Sequence, residues 1–166
     1  LFFFGGQMSR NHATLIGFSA VALWALLALF SGSTAYAADP AGMVKVANGK
    51  VSIERDGKKL AATVGSLIEV ADRVRTGADG SVGVTLRDNT LLSAGPNSLI
   101  VIDKFAFDNT TQDGNMAVSI RKGTLAVASG KIAKRTPESV DFHTPTSVLG
   151  VRGTEFVIEV EGERDE

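Results

Sequence analysis

Cysteine is absent from all 166 residues, so no disulfide staples this chain and packing alone has to hold it. Tryptophan and tyrosine occur once each, as Trp24 and Tyr36. From Ala38 onward the only aromatic side chains are Phe105, Phe107, Phe142 and Phe156. The broad indole and phenol faces that sugar or quaternary-ammonium sites use are therefore missing from that part. Histidine is nearly as scarce, with His143 alone after Ala38, and one His without Cys makes a poor metal site. Charge of one sign is lacking as well. The formal net charge is −1, with 17 basic and 18 acidic residues. That balance excludes a nucleic-acid footprint and any general attraction to an anionic membrane.

The one long hydrophobic run lies near the start. Residues 1–7 precede the first methionine and read as an upstream extension, with Met8 as the true start. A short polar segment containing Arg10 leads into an apolar stretch from Ala13 to Phe30. Ala35-Tyr36-Ala37 then forms a small-x-small site of the kind signal peptidase cleaves. Residues 8–37 are thus expected to be a signal helix that is removed, or else an uncleaved anchor. The expected location is periplasmic or secreted, with an inner-membrane anchor facing the periplasm as the alternative. The membrane is touched only through this segment, if it stays attached.

After Ala38 the apolar period is two. Val82, Val84 and Leu86 alternate with Ser81, Gly83, Thr85 and Arg87. Val51 and Ile53, Met116 to Ile120, Leu125 and Val127, and Phe156 to Val160 follow the same rule. Each reads as a half-buried strand. Leu99-Ile100-Val101-Ile102 is apolar on both faces and reads as a more deeply buried one. Asp56-Gly57, Asp79-Gly80, Asp113-Gly114 and Asp88-Asn89 read as hairpin turns, and Gly95-Pro96-Asn97 and Gly123 as further turns. The prediction is an all-β single domain of many short, mostly antiparallel strands. Periodicity leaves a β-roll, a solenoid-like stack and a sandwich equally open. Residues 38–48 form an entry, 49–160 the domain and 161–166 a charged tail.

Several patches in order carry a resemblance. They are Val64-Gly65-Ser66-Leu67-Ile68, Asp72-Arg73-Val74-Arg75-Thr76-Gly77, Val82 to Thr90, Gly95-Pro96-Asn97-Ser98, Gly123 with Leu125, and Thr144 to Val160 with its Arg152-Gly153-Thr154 turn. Together they resemble the FecR domain, an all-β module of bacterial envelope proteins. Asn89 stands where that family usually has Gly, a mild change because Asn also enters the left-handed region. The resemblance implies a stand-alone exported binding module in envelope signal transduction. Its partner would be an envelope protein or a small ligand, without a cofactor. A structural adaptor docking on cell-wall or outer-membrane components is the alternative.

No enzyme chemistry is expected. Asp141 and His143 share a strand face and could orient a general base, but no nucleophile elbow accompanies them. A solvent-facing polar pair is the simpler reading. Arg152, Gly153 and Thr154 are the first binding candidates, because a guanidinium fork beside free backbone N–H groups suits a carboxylate. The competing reading is a turn in which Arg152 pairs with an acid such as Asp88. Lys131, Lys134 and Arg135 form the one basic cluster, on a stretch that reads as an exposed loop.

Overall fold

The computed structural model describes residues 39–152 and 155–161. The proposed signal segment, Gly153, Thr154 and the end of the charged tail therefore lie outside the described residues. The chain forms β1 (Gly42–Asn48), β2 (Val51–Arg55), β3 (Lys58–Ala61), β4 (Leu67–Ile68), β5 (Arg73–Thr76) and β6 (Ser81–Leu86). There follow β7 (Leu91–Ala94), β8 (Leu99–Phe107), β9 (Gly114–Ala128), a short helix α1 (Lys131–Arg135) and a 3-10 turn at Pro137–Ser139. The last strands are β10 (Val140–His143), β11 (Val148–Gly150) and β12 (Glu155–Val160).

These strands make one curled, 12-stranded, all-β sheet. Its two halves share β9, which spans 15 residues. Half I runs β4, β1, β6, β7, β9, β12, and uses the C-terminal end of β9. Half II runs β3, β2, β5, β8, β9, β10, β11, and uses its N-terminal end. All pairings are antiparallel except β9 with β10.

The period of two does what it predicts. In β6 the residues Val82, Val84 and Leu86 are buried while Ser81, Gly83 and Thr85 are half-exposed. One core cluster draws Val44, Val84, Leu92 and Leu125 from half I, and Ile53, Val74, Ile100, Val118, Ile120 and Phe142 from half II. Phe142 and Phe156 meet edge to face, with centroids 5.1 Å apart. The strand at Leu99 differs from expectation. Ile100 and Ile102 are fully inside, but Leu99 and Val101 are only half-buried, so this strand too has one core face.

The turns separate into two kinds. Asp56-Gly57 is a true hairpin between β2 and β3, with φ of 50° and 73°, the signs a type I′ turn needs. Asn89 also sits at positive φ, 69°, in the β6–β7 hairpin. Asp79-Gly80 is not a hairpin. It carries the chain from β5 in half II to β6 in half I. Gly123 is not a strand end either; it lies within β9 at φ 89°, where the strand passes from one half to the other. Pattern alone cannot tell a turn that returns to its own half from one that changes half, since both need the same residues.

Candidate functional site

Four crossings between the halves line up along what we call the closed side: Gly49-Lys50, Gly77 to Gly80, Pro96-Asn97 and Gly123. Backbone hydrogen bonds tie them in series. Gly77 N–H donates to Lys50 O at 2.8 Å and Asn97 N–H to Gly77 O at 2.9 Å. Thr76 and Ser98 lock the row from inside. Thr76 Oγ1 donates to Gly95 O at 2.6 Å and accepts from Ser98 N–H at 2.8 Å. Ser98 Oγ in turn accepts from Thr124 N–H at 3.0 Å. A Cβ on Gly123 would stand 2.3 Å from Ser98 Oγ, and one on Gly49 would stand 2.2 Å from Asp79 O. Neither glycine leaves room for a side chain.

Two acids elsewhere are equally committed to the fold. Asp72 is fully buried and takes both prongs of Arg55, at 2.8 Å from Nε and 2.7 Å from a terminal nitrogen. Arg55 also reaches Glu69 and donates to Leu67 O. The hydrogen bond to Asp72, despite some cost of burial, holds the guanidinium pKa above its ordinary value. Asp88, also fully buried, accepts from Thr90 N–H at 3.0 Å and Thr90 Oγ1 at 2.7 Å. Its own carbonyl accepts from Lys131 N–H at 2.8 Å. Arg152 does not pair with Asp88: it is exposed and makes no ion pair among the described residues. The thirst of a buried carboxylate is met locally, so no distant cation is required.

Beside this row, next to Thr76, Ser98 and Gly123, the sheet opens on what we call the open side. There β12, in half I, and the β10–β11 hairpin, in half II, diverge from their shared neighbour β9. Between them lies a cleft of about 940 Å³. Arg75, Arg121 and Lys122 line it, as do Leu99, Leu149 and Ile158, and Glu159 and Glu161 stand on the β12 side. The turn Thr144-Pro145-Thr146-Ser147 forms part of its rim, closed by Thr144 N–H to Ser147 O at 2.8 Å. Leu149 lies opposite the buried Phe142 in register, hence on the core-facing side, yet it is 39 % exposed. Arg121 and Lys122 are exposed and make no ion pair among the described residues, whereas Arg75 approaches Glu54 at 3.4 Å.

The residues singled out from sequence do not form one constellation. Arg152 follows β11; Gly153 and Thr154 are not among the described residues. Lys131, Lys134 and Arg135 sit on α1, not on a loop, because Ile132 and Ala133 bury one side of that turn in the core. Lys131 lies 6.0 Å over the Phe107 ring, Arg135 pairs with Asp113 at 2.6 Å, and Lys134 is left exposed. Asp141 and His143 do share the face opposite the buried Val140 and Phe142. The serine beside His143 in register is Ser119, whose hydroxyl donates to Asp103 at 2.5 Å. That hydroxyl is held by a carboxylate and not by the imidazole, so the row Asp103, Ser119, His143 does not follow the order in which a histidine activates a serine. Among the described residues no cluster of three or more His, Cys, Asp or Glu side chains is placed to hold a metal ion. No helix among them is long and apolar enough to cross a membrane.

Sequence reasoning missed Arg121, Lys122 and Leu149. The pair Arg121-Lys122 directly precedes Gly123, and two adjacent cations at the bend of a long strand were a usable signal. Their meeting with Leu149 was not readable, since it follows from the parallel register of β9 and β10.

No curated protein and no solved structure matches the chain. The FecR protein family matches residues 72–166, more than half of the chain. That match opens at Asp72, the buried partner of Arg55, and takes in three of the four crossings, the cleft cations Arg75, Arg121 and Lys122, and the β10–β11–β12 segment. The all-β architecture, the Asp72 to Gly77 and Gly95 to Ser98 corners and this match agree: the chain belongs to the FecR protein family.

Proposed function

We propose that this chain is an exported FecR-type binding module that works in envelope signal transduction by holding a partner protein or ligand on its open side. Family membership supports the signalling role, since FecR domains are associated with envelope signalling. One observation carries the location: the cleft of about 940 Å³ joins an under-covered core residue, Leu149, to Arg121 and Lys122, which make no ion pair among the described residues. Apolar surface beside unpaired charge favours recognition, where area supplies affinity and charge supplies orientation. The family is regulatory rather than enzymatic, and the Ser119 hydroxyl bound to Asp103 supports the same reading.

In-cell photo-crosslinking from positions 149 and 152, followed by mass spectrometry of envelope fractions, tests this. Capture of a membrane sensor or an outer-membrane receptor is the expected result. Capture of cell-wall or abundant scaffold proteins alone would favour a structural adaptor instead.

A further inference from the structure

The outward faces of the two halves differ in charge. On half II the rows that point away from the core carry Lys59, Glu54 and Arg73, then Arg75 and Lys122. On half I one outward row crosses β1, β6, β7, β9 and β12 as Met43, Thr85, Leu91, Ala128 and Glu155. The next row crosses the same strands as Val46, Gly83, Ser93, Ala126 and Val157. A third runs from Asn48 and Ser81 to Thr124 and Glu159. The alternating residues Val44, Val84, Leu92, Val127 and Ile158 are buried, which fixes these rows as the outer ones. Charge enters the three rows only on β12, as Glu155 and Glu159. One cation joins them at the other margin. Lys45 is the extra residue of the β1 bulge, and its Nζ reaches Met43 Sδ at 3.6 Å, so its chain lies along this face. Val46, Leu91 and Val157 are 49, 47 and 65 % exposed. A solvated sheet face ordinarily alternates to polar side chains, and a broad uncharged one marks a contact surface.

We infer that this outer face of half I packs on the same face of a second copy, about a two-fold axis running along β7. The inference does not rest on the open side. β7 is the middle of the five strands, so the axis lays β1 over β12 and β6 over β9 and keeps each row at its own height. Val46 then meets the second copy's Val157, and Leu91 meets its own equivalent. Gly83, Ser93 and Ala126 lie between them, and such small side chains let two sheets approach with their strands nearly aligned. At the margins Lys45 comes over the second copy's Glu155, twice by symmetry. Neither makes an ion pair within the chain among the described residues. That pattern is what argues for a second copy. A lysine at one margin of an uncharged face and glutamates at the other are complementary under this axis, whereas an anionic lipid surface would repel Glu155 and Glu159. Five strands about 4.8 Å apart and three rows about 7 Å apart give a face of about 24 Å by about 20 Å. About 500 Å² from each copy reaches only the lower limit of specific interfaces, so the dimer is expected to be weaker than about 1 μM.

Sedimentation velocity of the purified full chain over a concentration series tests this, and a monomer–dimer equilibrium is the expected result. Lys45→Glu alone, or Glu155→Lys alone, is expected to weaken the dimer about ten-fold, because each change turns two attractions into two repulsions. Both changes together restore the pairing with signs reversed, and the dimer is expected to return to within about two-fold of the original. Val157→Lys sets an ammonium against the second copy's Val46 and is expected to abolish the dimer, with the melting temperature of the dilute protein unchanged. A chain that stays monomeric at millimolar concentration would overturn the inference. So would a dimer that none of these changes affects, since it would use another surface, or single changes whose losses add in the double variant instead of cancelling. Saturable binding to phosphatidylcholine vesicles that Val157→Lys abolishes, without a dimer, would also overturn it and assign the face to lipid.

Discussion

The closed and open sides of the sheet differ in what their polar groups are doing. On the closed side each crossing is bonded to the next, and Thr76 and Ser98 hydroxyls are used as donor and acceptor at once. On the open side a core-facing leucine is part-exposed, and two adjacent cations make no ion pair among the described residues, with Glu159 and Glu161 in the same cleft. A group whose bonds are met inside the domain has nothing to offer a partner, while an unmet group costs stability unless something meets it. Two of the patches that carry the family resemblance, Asp72 to Gly77 and Gly95 to Ser98, therefore hold the fold. The binding we propose falls mainly to residues outside those two patches, with Arg75 the exception.

The comparison can be broken most forcefully at Gly123. Gly123→Val puts a β-branched side chain at φ 89° with its Cβ 2.3 Å from Ser98 Oγ. It should cost more than about 3 kcal/mol, seen as loss of a cooperative melt or a large fall in Tm. Asp72→Asn comes next. It removes the buried negative charge and turns one of the two oxygens that face Arg55 into an NH2 donor, beside a guanidinium that stays 26 % exposed, so urea denaturation should show a loss of about 2–3 kcal/mol. Thr76→Val removes the Gly95 and Ser98 hydrogen bonds and should cost about 1–3 kcal/mol by the same measurement. On the open side, Arg121→Glu with Lys122→Glu should change stability by no more than about 0.5 kcal/mol while crosslinked partner is lost. A large stability loss there would erase the distinction between the two sides.

The smallest effect concerns the β8–β9 loop, which belongs to neither side. Thr111 and then Thr110 donate backbone N–H groups to Asp108 and hold its carboxyl below the usual carboxylate range. A depressed folded pKa means the stabilisation is fully present above the unfolded value and fades as pH falls through the folded one. Asp108→Asn should flatten a slight acid-side decline in Tm followed by calorimetry from neutral pH downward.

Strand content was legible because one face of each strand is buried, and alternation records that directly. Asn89 was legible as a left-handed turn residue from its side-chain chemistry, and φ 69° bears it out. The closed side was half-legible. Its glycines and Gly95-Pro96-Asn97 were visible as turns, but that they join two halves depends on pairings far apart in sequence. Lys131 to Arg135 looked like a solvated loop because composition there is basic; two buried apolar residues, Ile132 and Ala133, were enough to pin a helical turn. The cleft was not legible. It exists where β9 parts from β10 and β12, and no local pattern encodes which strands stop sharing neighbours.

Native-state hydrogen exchange, followed amide by amide, tests the division of labour most directly. The account predicts that Thr76, Gly77, Ser98 and Thr124 exchange only through global unfolding, while Val148 to Gly150 exchange through local opening at far lower free energy. Equal protection of β11 and the crossings would contradict it, because the open side would then be as much a part of the folded core as the closed one.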